Sequence, residues 1–231
     1  MVSKSATSNV EAEKPAWGLL MEVEATAVPA RAESFAAAAA ALKHEHVELT
    51  LPQFLRYGLH TTPARMTDSL ARGLGVKDPA RDRVCKAVEA ALAEHFSKTT
   101  RMSPSLDKLL EACVAAGARV VFVSWQEQEA AQSLADRLGL TRWSPEVLSF
   151  AEVHHEFPGP DTYLRGLKKI GATPHRSVAL VSCQASSHAA LAAGMRYAVV
   201  PDEFTSFQDF SGADWIAESW KDLDPAALFA D

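Results

Sequence analysis

The chain has 231 residues, 48% of them hydrophobic, which is enough for one α/β domain with a full core and a small inserted domain. Its net charge is −6, with acidic and basic residues mixed along the length, and this argues against nucleic-acid binding, because neutralising phosphates needs a basic surface. No apolar run reaches the roughly 20 residues that span a bilayer, and the first residues lack the apolar core of a signal peptide. We therefore expect a cytoplasmic protein without nucleic-acid or membrane partners.

The predicted elements begin after a polar start. Residues 1–15 offer no apolar side chains to pack, so we expect a flexible tail there. The apolar run from Trp17 to Val23 has the length of a buried strand and predicts the first one. Two carboxylates, Glu22 and Glu24, lie at its end with a spacing of i, i+2.

The next segment, residues 31–98, shows helical patterns and no convincing strand, which predicts an all-helical insertion. Helical patterns then alternate with the apolar runs ARVVFVSW (118–125), SVALVSC (177–183) and RYAVVPD (196–202). Such alternation predicts an α/β fold with a parallel sheet covered by helices on both faces. Ligands of such sheets bind at the carboxyl ends of the strands, where Ser124 and Ser182 are expected beside the two glutamates.

This layout resembles the haloacid dehalogenase-like hydrolase superfamily, in its β-phosphoglucomutase-like branch. The segments PGPDTYLRGLKKIG (158–171), HAALAAGM (188–195) and DFSGAD (209–214) carry the likeness. It implies a Rossmann-like core of residues 16–30 and 99–231, with a helical cap of residues 31–98 inserted after the first strand.

The first motif of that family is Asp-x-Asp-Gly-Thr/Val, in which the first Asp attacks phosphorus and the second is the general acid and base. Here the motif positions are Glu22 and Glu24, followed by Ala25 and Thr26. Both charges are kept, but each carboxylate is one methylene longer, and in-line phosphoryl transfer depends on accurate placement. The resemblance makes Glu22 and Glu24 the candidate catalytic positions and Thr26 a candidate ligand-binding residue.

Two of the other three motifs are also altered. Ser124 matches the Ser or Thr that binds a phosphoryl oxygen, whereas Phe157 stands where the family has a phosphate-neutralising Lys, a kind of loss that costs on the order of 10²- to 10³-fold in rate. Ser182 stands where an Asp helps to hold Mg²⁺, and a hydroxyl is a poor substitute. We predict no metal ligands and no cofactor. Arg65 in the cap is a further candidate for contacting a ligand.

We therefore predict a pseudoenzyme: a family member that has lost phosphoryl transfer and has a binding or regulatory role. Its ligand would be a protein partner or a small phosphorylated molecule. The alternative is a divergent phosphatase or phosphomutase-like hydrolase that uses Glu22, Glu24 and Mg²⁺. A third possibility is a different reaction in the same cleft, with Cys183 or His154 as the reactive group.

Overall fold

The computed structural model describes residues 16–153 and 156–230. The flexible tail predicted for residues 1–15 lies outside the described residues, and so does His154. None of the helices in the described ranges is long and apolar enough to cross a bilayer.

Six parallel strands form one sheet in the order β3-β2-β1-β4-β5-β6, which confirms the predicted α/β class. In chain order the strands are β1 (Gly18–Glu22), β2 (Arg119–Ser124), β3 (Val147–Ser149), β4 (Ser177–Val181), β5 (Arg196–Val199) and β6 (Trp215–Ile216). Because β1 lies between β2 and β4, the strand order reverses at its side. Open α/β sheets bind ligands at such a switch point.

The two edge strands differ from the sequence-based expectation. Four strands are expected, yet β3 and β6 also pair into the sheet, with three and two residues. Runs this short show no readable alternation of apolar and polar residues, since strands usually need four to eight residues for that signal. Pairing with the neighbouring strands, rather than a pattern in their own sequences, identifies β3 and β6 as strands.

Nine helices flank or cap the sheet in the described ranges. They are α1 (Arg31–His44), α2 (Leu51–Tyr57), α3 (Pro63–Leu74), α4 (Ala80–Lys98), α5 (Leu106–Ala115), α6 (Gln128–Leu138), α7 (Pro160–Lys169), α8 (Gln184–Ala192) and α9 (Pro225–Leu228). The first four form the helical cap, with α4 packed along α1 and α3. The exact division at residues 31 and 98 stays a prediction.

Side chains of the central strand alternate between two hydrophobic clusters, one on each face of the sheet. Leu19 and Met21 belong to the first cluster and Leu20 to the second. The first cluster continues into the cap through Phe54 and Phe96. Because cap and core share this buried apolar surface, the cap is closed against the sheet.

A glycine sets the distance between α7 and the sheet. A Cβ atom on Gly166 would lie 2.9 Å from Cδ1 of Leu20 in β1, closer than side chains normally pack. The missing side chain lets α7 approach the sheet closely. Tyr163, one turn earlier in α7, is thereby fully buried beside the carboxyl end of β1.

Candidate functional site

Glu22 is the last residue of β1, and its side chain is 1% exposed. Its Oε1 accepts a hydrogen bond of 2.7 Å from the Tyr163 hydroxyl. Its Oε2 is buried without a partner among the described residues. Burial raises the pKa of Glu22, although the hydrogen bond from Tyr163, the nearby hydroxyl of Ser186 and the charge of Arg31 oppose the rise. The buried environment therefore favours the protonated, neutral form of the Glu22 carboxyl more than bulk water does.

Glu24 lies in a π-helical turn, Val23–Ala27, that follows β1 directly. Its Oε1 accepts hydrogen bonds from Oγ of Ser124 at 2.5 Å and from Nε2 of Gln126 at 2.7 Å. Burial raises the pKa of this carboxyl to about 7, against the effect of those two hydrogen bonds. Glu24 is thus a buried carboxyl group that changes its charge near neutral pH.

The serine and threonine candidates lie around the same turn. Ser124 ends β2, and its Oγ also accepts a 3.0 Å hydrogen bond from the backbone amide of Gln126. Ser124 and Gln126 together hold the Glu24 side chain in place. Thr26 is 1% exposed, and its Oγ1 is buried with no partner in the part of the chain that the structure describes. Such an unpaired hydroxyl is costly unless a ligand or water satisfies it.

Ser182 follows β4, at the position where the resemblance places a metal-binding Asp. Its side chain faces a cation, the guanidinium of Arg31. Its Oγ accepts a 3.0 Å hydrogen bond from Nη2 of Arg31 and donates to the carbonyl oxygen of Ala25. Nη1 of Arg31 forms an ion pair with Asp202, which lies in the loop after β5. Burial would lower the pKa of Arg31, but Cys183 and Asp202 raise it by more, so the guanidinium remains charged.

The remaining candidates, Phe157 and Arg65, contact each other through a hydrogen bond. The Phe157 side chain is fully buried and packs on Phe150, with ring centroids 6.3 Å apart. Its carbonyl oxygen accepts hydrogen bonds from Nη1 of Arg65 at 3.2 Å and from Oγ1 of Thr61 at 3.1 Å. We call these two bonds the cap latch, because they join the cap to the core. A ligand contact by either residue stays a prediction.

A small cavity lies between the cap and the carboxyl ends of the strands. It encloses about 30 Å³, whereas binding sites for small molecules measure about 300–1,000 Å³. Its walls include Glu24, Arg31, His60, Phe96, Trp125 and Cys183. Phe96 of the cap lies against Trp125 of the core, with ring centroids 6.2 Å apart. In this closed arrangement the cavity has room for water but not for a sugar phosphate.

The structure therefore brings five of the seven candidates to one edge of the sheet: Glu22, Glu24, Thr26, Ser124 and Ser182. Sequence reasoning missed Tyr163, Gln126 and Arg31, which supply the hydrogen bonds that hold three of them. Asp202 is the last residue of the predicted run RYAVVPD, and its position at the end of a strand is the one signal for it. Cys183 is 4% exposed, and its Sγ lies 3.2 Å from Oγ of Ser186.

Magnesium is the cofactor that the family resemblance implies, and the donor set here does not suit it. Hydrogen-bond donors already occupy one oxygen of each glutamate, and a guanidinium faces Ser182. Within the described ranges no three His, Cys, Asp or Glu side chains are grouped as a metal site would require. Mg²⁺ prefers hard oxygen ligands in octahedral geometry, so these residues do not form a site that fits it.

Comparison with known sequences gives two curated relatives, while no family model matches the chain. Protein CbbY of Rhodobacter capsulatus is 42% identical over 64 residues, which cover 28% of either chain. Protein CbbY of Cereibacter sphaeroides is 26% identical over 161 residues, which cover 69% of this chain and 60% of that protein. The chain thus aligns with less than two thirds of each curated relative.

Solved structures match over nearly the whole chain. CbbY from Rhodobacter sphaeroides in complex with phosphate superposes with a TM-score of 0.74 at 20% identity, covering 92% of this chain and 99% of that one. A HAD hydrolase of family IA, variant 3, from Entamoeba histolytica superposes with a TM-score of 0.76 at 14% identity, covering 93% and 100%.

The fold is therefore that of the haloacid dehalogenase-like hydrolases with a helical cap. The sequence matches agree with this fold, and the chain is similar to members of that superfamily, as its motif layout predicts. Among the members compared, it is similar to the CbbY proteins both in sequence and in structure.

Proposed function

We propose that this chain is a haloacid dehalogenase-like protein that has lost phosphoryl transfer and acts by binding. The observation that carries the proposal is the state of Glu22, the residue at the nucleophile position. A nucleophilic carboxylate must be ionised and must point a free oxygen at phosphorus. Burial instead raises the pKa of Glu22, and Tyr163 binds its Oε1, so that only the buried Oε2 is left without a partner among the described residues.

The rest of the site supports the same proposal. No Lys stands at the position of Phe157, and the arginine nearest Ser182 is already neutralised by Asp202. The transition state of phosphoryl transfer carries charge that such groups must stabilise. Because groups that act as a unit fail together, we expect turnover to be absent rather than slow.

The ligand that we propose is a protein partner or a small phosphorylated molecule, bound where the cap meets the core. A retained cap is consistent with this, since closing caps shield bound ligands from water. Two CbbY structures from Rhodobacter sphaeroides hold phosphate and xylulose-1,5-bisphosphate. We expect no nucleic-acid or membrane ligand, and a cytoplasmic location.

One observation favours the alternative, a divergent phosphatase that uses Glu22, Glu24 and Mg²⁺. The pKa of Glu24 is raised to about 7, and a general acid or base works best when its pKa lies near the operating pH. Glu24 also occupies the acid/base position of the family motif. Under this alternative Glu22 would have to be ionised when substrate and metal are bound.

A turnover assay separates the two. The wild type, Glu22→Gln and the control Glu129→Gln, which alters an exposed residue of α6, are incubated with Mg²⁺, an aryl phosphate and a panel of sugar phosphates. We expect the three proteins to release phosphate at the same background rate. Release by the wild type and Glu129→Gln that Glu22→Gln abolishes would make Glu22 a working nucleophile and overturn the proposal.

A further inference from the structure

Arg31 is a cation held among oxygen atoms at the carboxyl edge of the sheet. Besides the ion pair with Asp202 and the 3.0 Å hydrogen bond to Ser182, its Nη2 lies 3.5 Å from the carbonyl oxygen of Ala25. Only 13% of its side chain is exposed. A guanidinium this buried needs its partners, because an uncompensated charge there would be strongly destabilising.

The three oxygen atoms come from three separate places in the fold. Ala25 belongs to the turn after β1, Ser182 follows β4, and Asp202 lies beyond β5. A carboxylate, a hydroxyl and a backbone carbonyl are the kinds of oxygen that bind hard cations in proteins. The set therefore suits a positive charge, although it is too small by itself to bind Mg²⁺ tightly.

Neighbouring hydrogen bonds hold this oxygen set in place. Oδ1 of Asp202 accepts from the backbone amide of Phe204 at 2.9 Å and lies 3.1 Å from Oγ1 of Thr205, which leaves Oδ2 directed at Arg31. Oγ1 of Thr205 also lies 2.8 Å from the carbonyl oxygen of Ser182, to which it can donate. The loop after β5 and the end of β4 are thus tied together around the guanidinium.

We propose that the Arg31 guanidinium is a built-in cation that takes the place of a divalent metal ion at the carboxyl ends of β1 and β4. An arginine remains charged throughout the physiological pH range and cannot dissociate from the protein. A metal ion arriving at the same oxygen atoms meets a like charge and no free carboxylate. The charge of Arg31 also reaches Glu22, whose pKa it lowers against the larger effect of burial.

A cation that fills a metal position and a purely structural ion pair lead to different predictions for metal binding. A purely structural pair would lose stability on mutation and gain no affinity for Mg²⁺. A cation that fills a metal position would, once removed, leave a site that a restored carboxylate can complete. The inference does not depend on the loss of phosphoryl transfer, because its readout is metal binding without substrate.

The test titrates Mg²⁺ by calorimetry into four proteins: the wild type, Ser182→Asp, Arg31→Met and Arg31→Met/Ser182→Asp. Circular dichroism and thermal melting check that each is folded. We expect no binding at millimolar Mg²⁺ by the wild type or Ser182→Asp, and at least tenfold tighter binding by the double variant than by Ser182→Asp. Should Arg31→Met prevent folding, Arg31→Gln/Ser182→Asp takes its place, because a glutamine can still hydrogen-bond to Asp202.

Two results would overturn the inference. One is Mg²⁺ binding by Ser182→Asp that equals binding by the double variant, since Arg31 would then exclude nothing. The other is a folded double variant that does not bind Mg²⁺. Phosphate release by the wild type would contradict the proposed function and would leave this inference standing.

Discussion

The Tyr163 hydroxyl donates to Oε1 of Glu22 at 2.7 Å and so joins α7 to the carboxyl end of β1. Both side chains are fully buried, and burial together with Glu22 raises the pKa of Tyr163 well above its usual value. The tyrosine therefore stays protonated and remains a donor. This contact both stabilises the packing of α7 and occupies an oxygen at the nucleophile position.

Removing that donor tests how much the contact stabilises the fold. Tyr163→Phe leaves Oε1 of Glu22 buried without a partner, which costs about 1–3 kcal/mol in the free energy of unfolding. The control is Tyr57→Phe, because the structure gives the Tyr57 hydroxyl no partner among the described residues. Urea unfolding at pH 7 measures both variants. Equal stability of the two would mean that the buried hydrogen bond contributes nothing.

The raised pKa of Glu24 predicts a pH-dependent stability. Its carboxyl changes from a usual pKa of 4.5 to about 7 on folding, so the folded state favours the protonated form. The associated stability is fully present below pH 4.5 and is lost as the pH rises through about 7. We expect the loss to reach about 3 kcal/mol, and Glu22 changes in the same direction.

Glu24→Gln replaces the acid with a neutral group of similar shape, so its stability should fall less than that of the wild type between pH 5 and 8. Urea unfolding at several pH values measures the slope, and Glu129→Gln, on the exposed side of α6, should leave the slope unchanged. An unaltered slope in Glu24→Gln would show that this carboxyl does not titrate as its burial implies.

The two hydrogen bonds of the cap latch should help to keep the cap closed over the cavity. Thr61→Val and Arg65→Met together remove both hydrogen bonds to the Phe157 carbonyl oxygen and weaken the closed state, by about 1 kcal/mol for each bond. Hydrogen exchange should then be faster in residues 59–65 and around Trp125 at unchanged pH.

The control for the latch is Arg101→Met, which alters an exposed arginine outside the cap helices. It should exchange like the wild type. If the latch variant also exchanges like the wild type, the shared apolar surface between cap and core, including Phe96, is what keeps the cap closed.

Part of this site follows from the sequence and part does not. Glu22, Glu24, Ser124 and Ser182 are predictable because each ends or follows an apolar run of strand length, and parallel strands end at one edge. Their partners are not, because the Glu22–Tyr163 and Arg31–Asp202 contacts join residues 141 and 171 positions apart. No local pattern signals such pairs.

Burial of the glutamates is equally hidden. Two charged residues at the end of a strand predict solvent exposure, yet Glu22 and Glu24 are 1% and 5% exposed. The difference arises because the cap covers that edge of the sheet. The strands β3 and β6 escaped prediction for a simpler reason, since three and two residues are too few to show a period.

The place of β1 in the sheet also constrains the order in which parts of the protein can fold during synthesis. The strand is complete once residue 22 is synthesised, but its partners β2 and β4 follow the cap helices, and the Glu24–Ser124 contact spans 100 residues. Non-local pairing of this kind is slow. On the ribosome, the cap helices emerge before the strands that bury the two acids, so the nascent chain carries both carboxylates in water until its C-terminal half arrives.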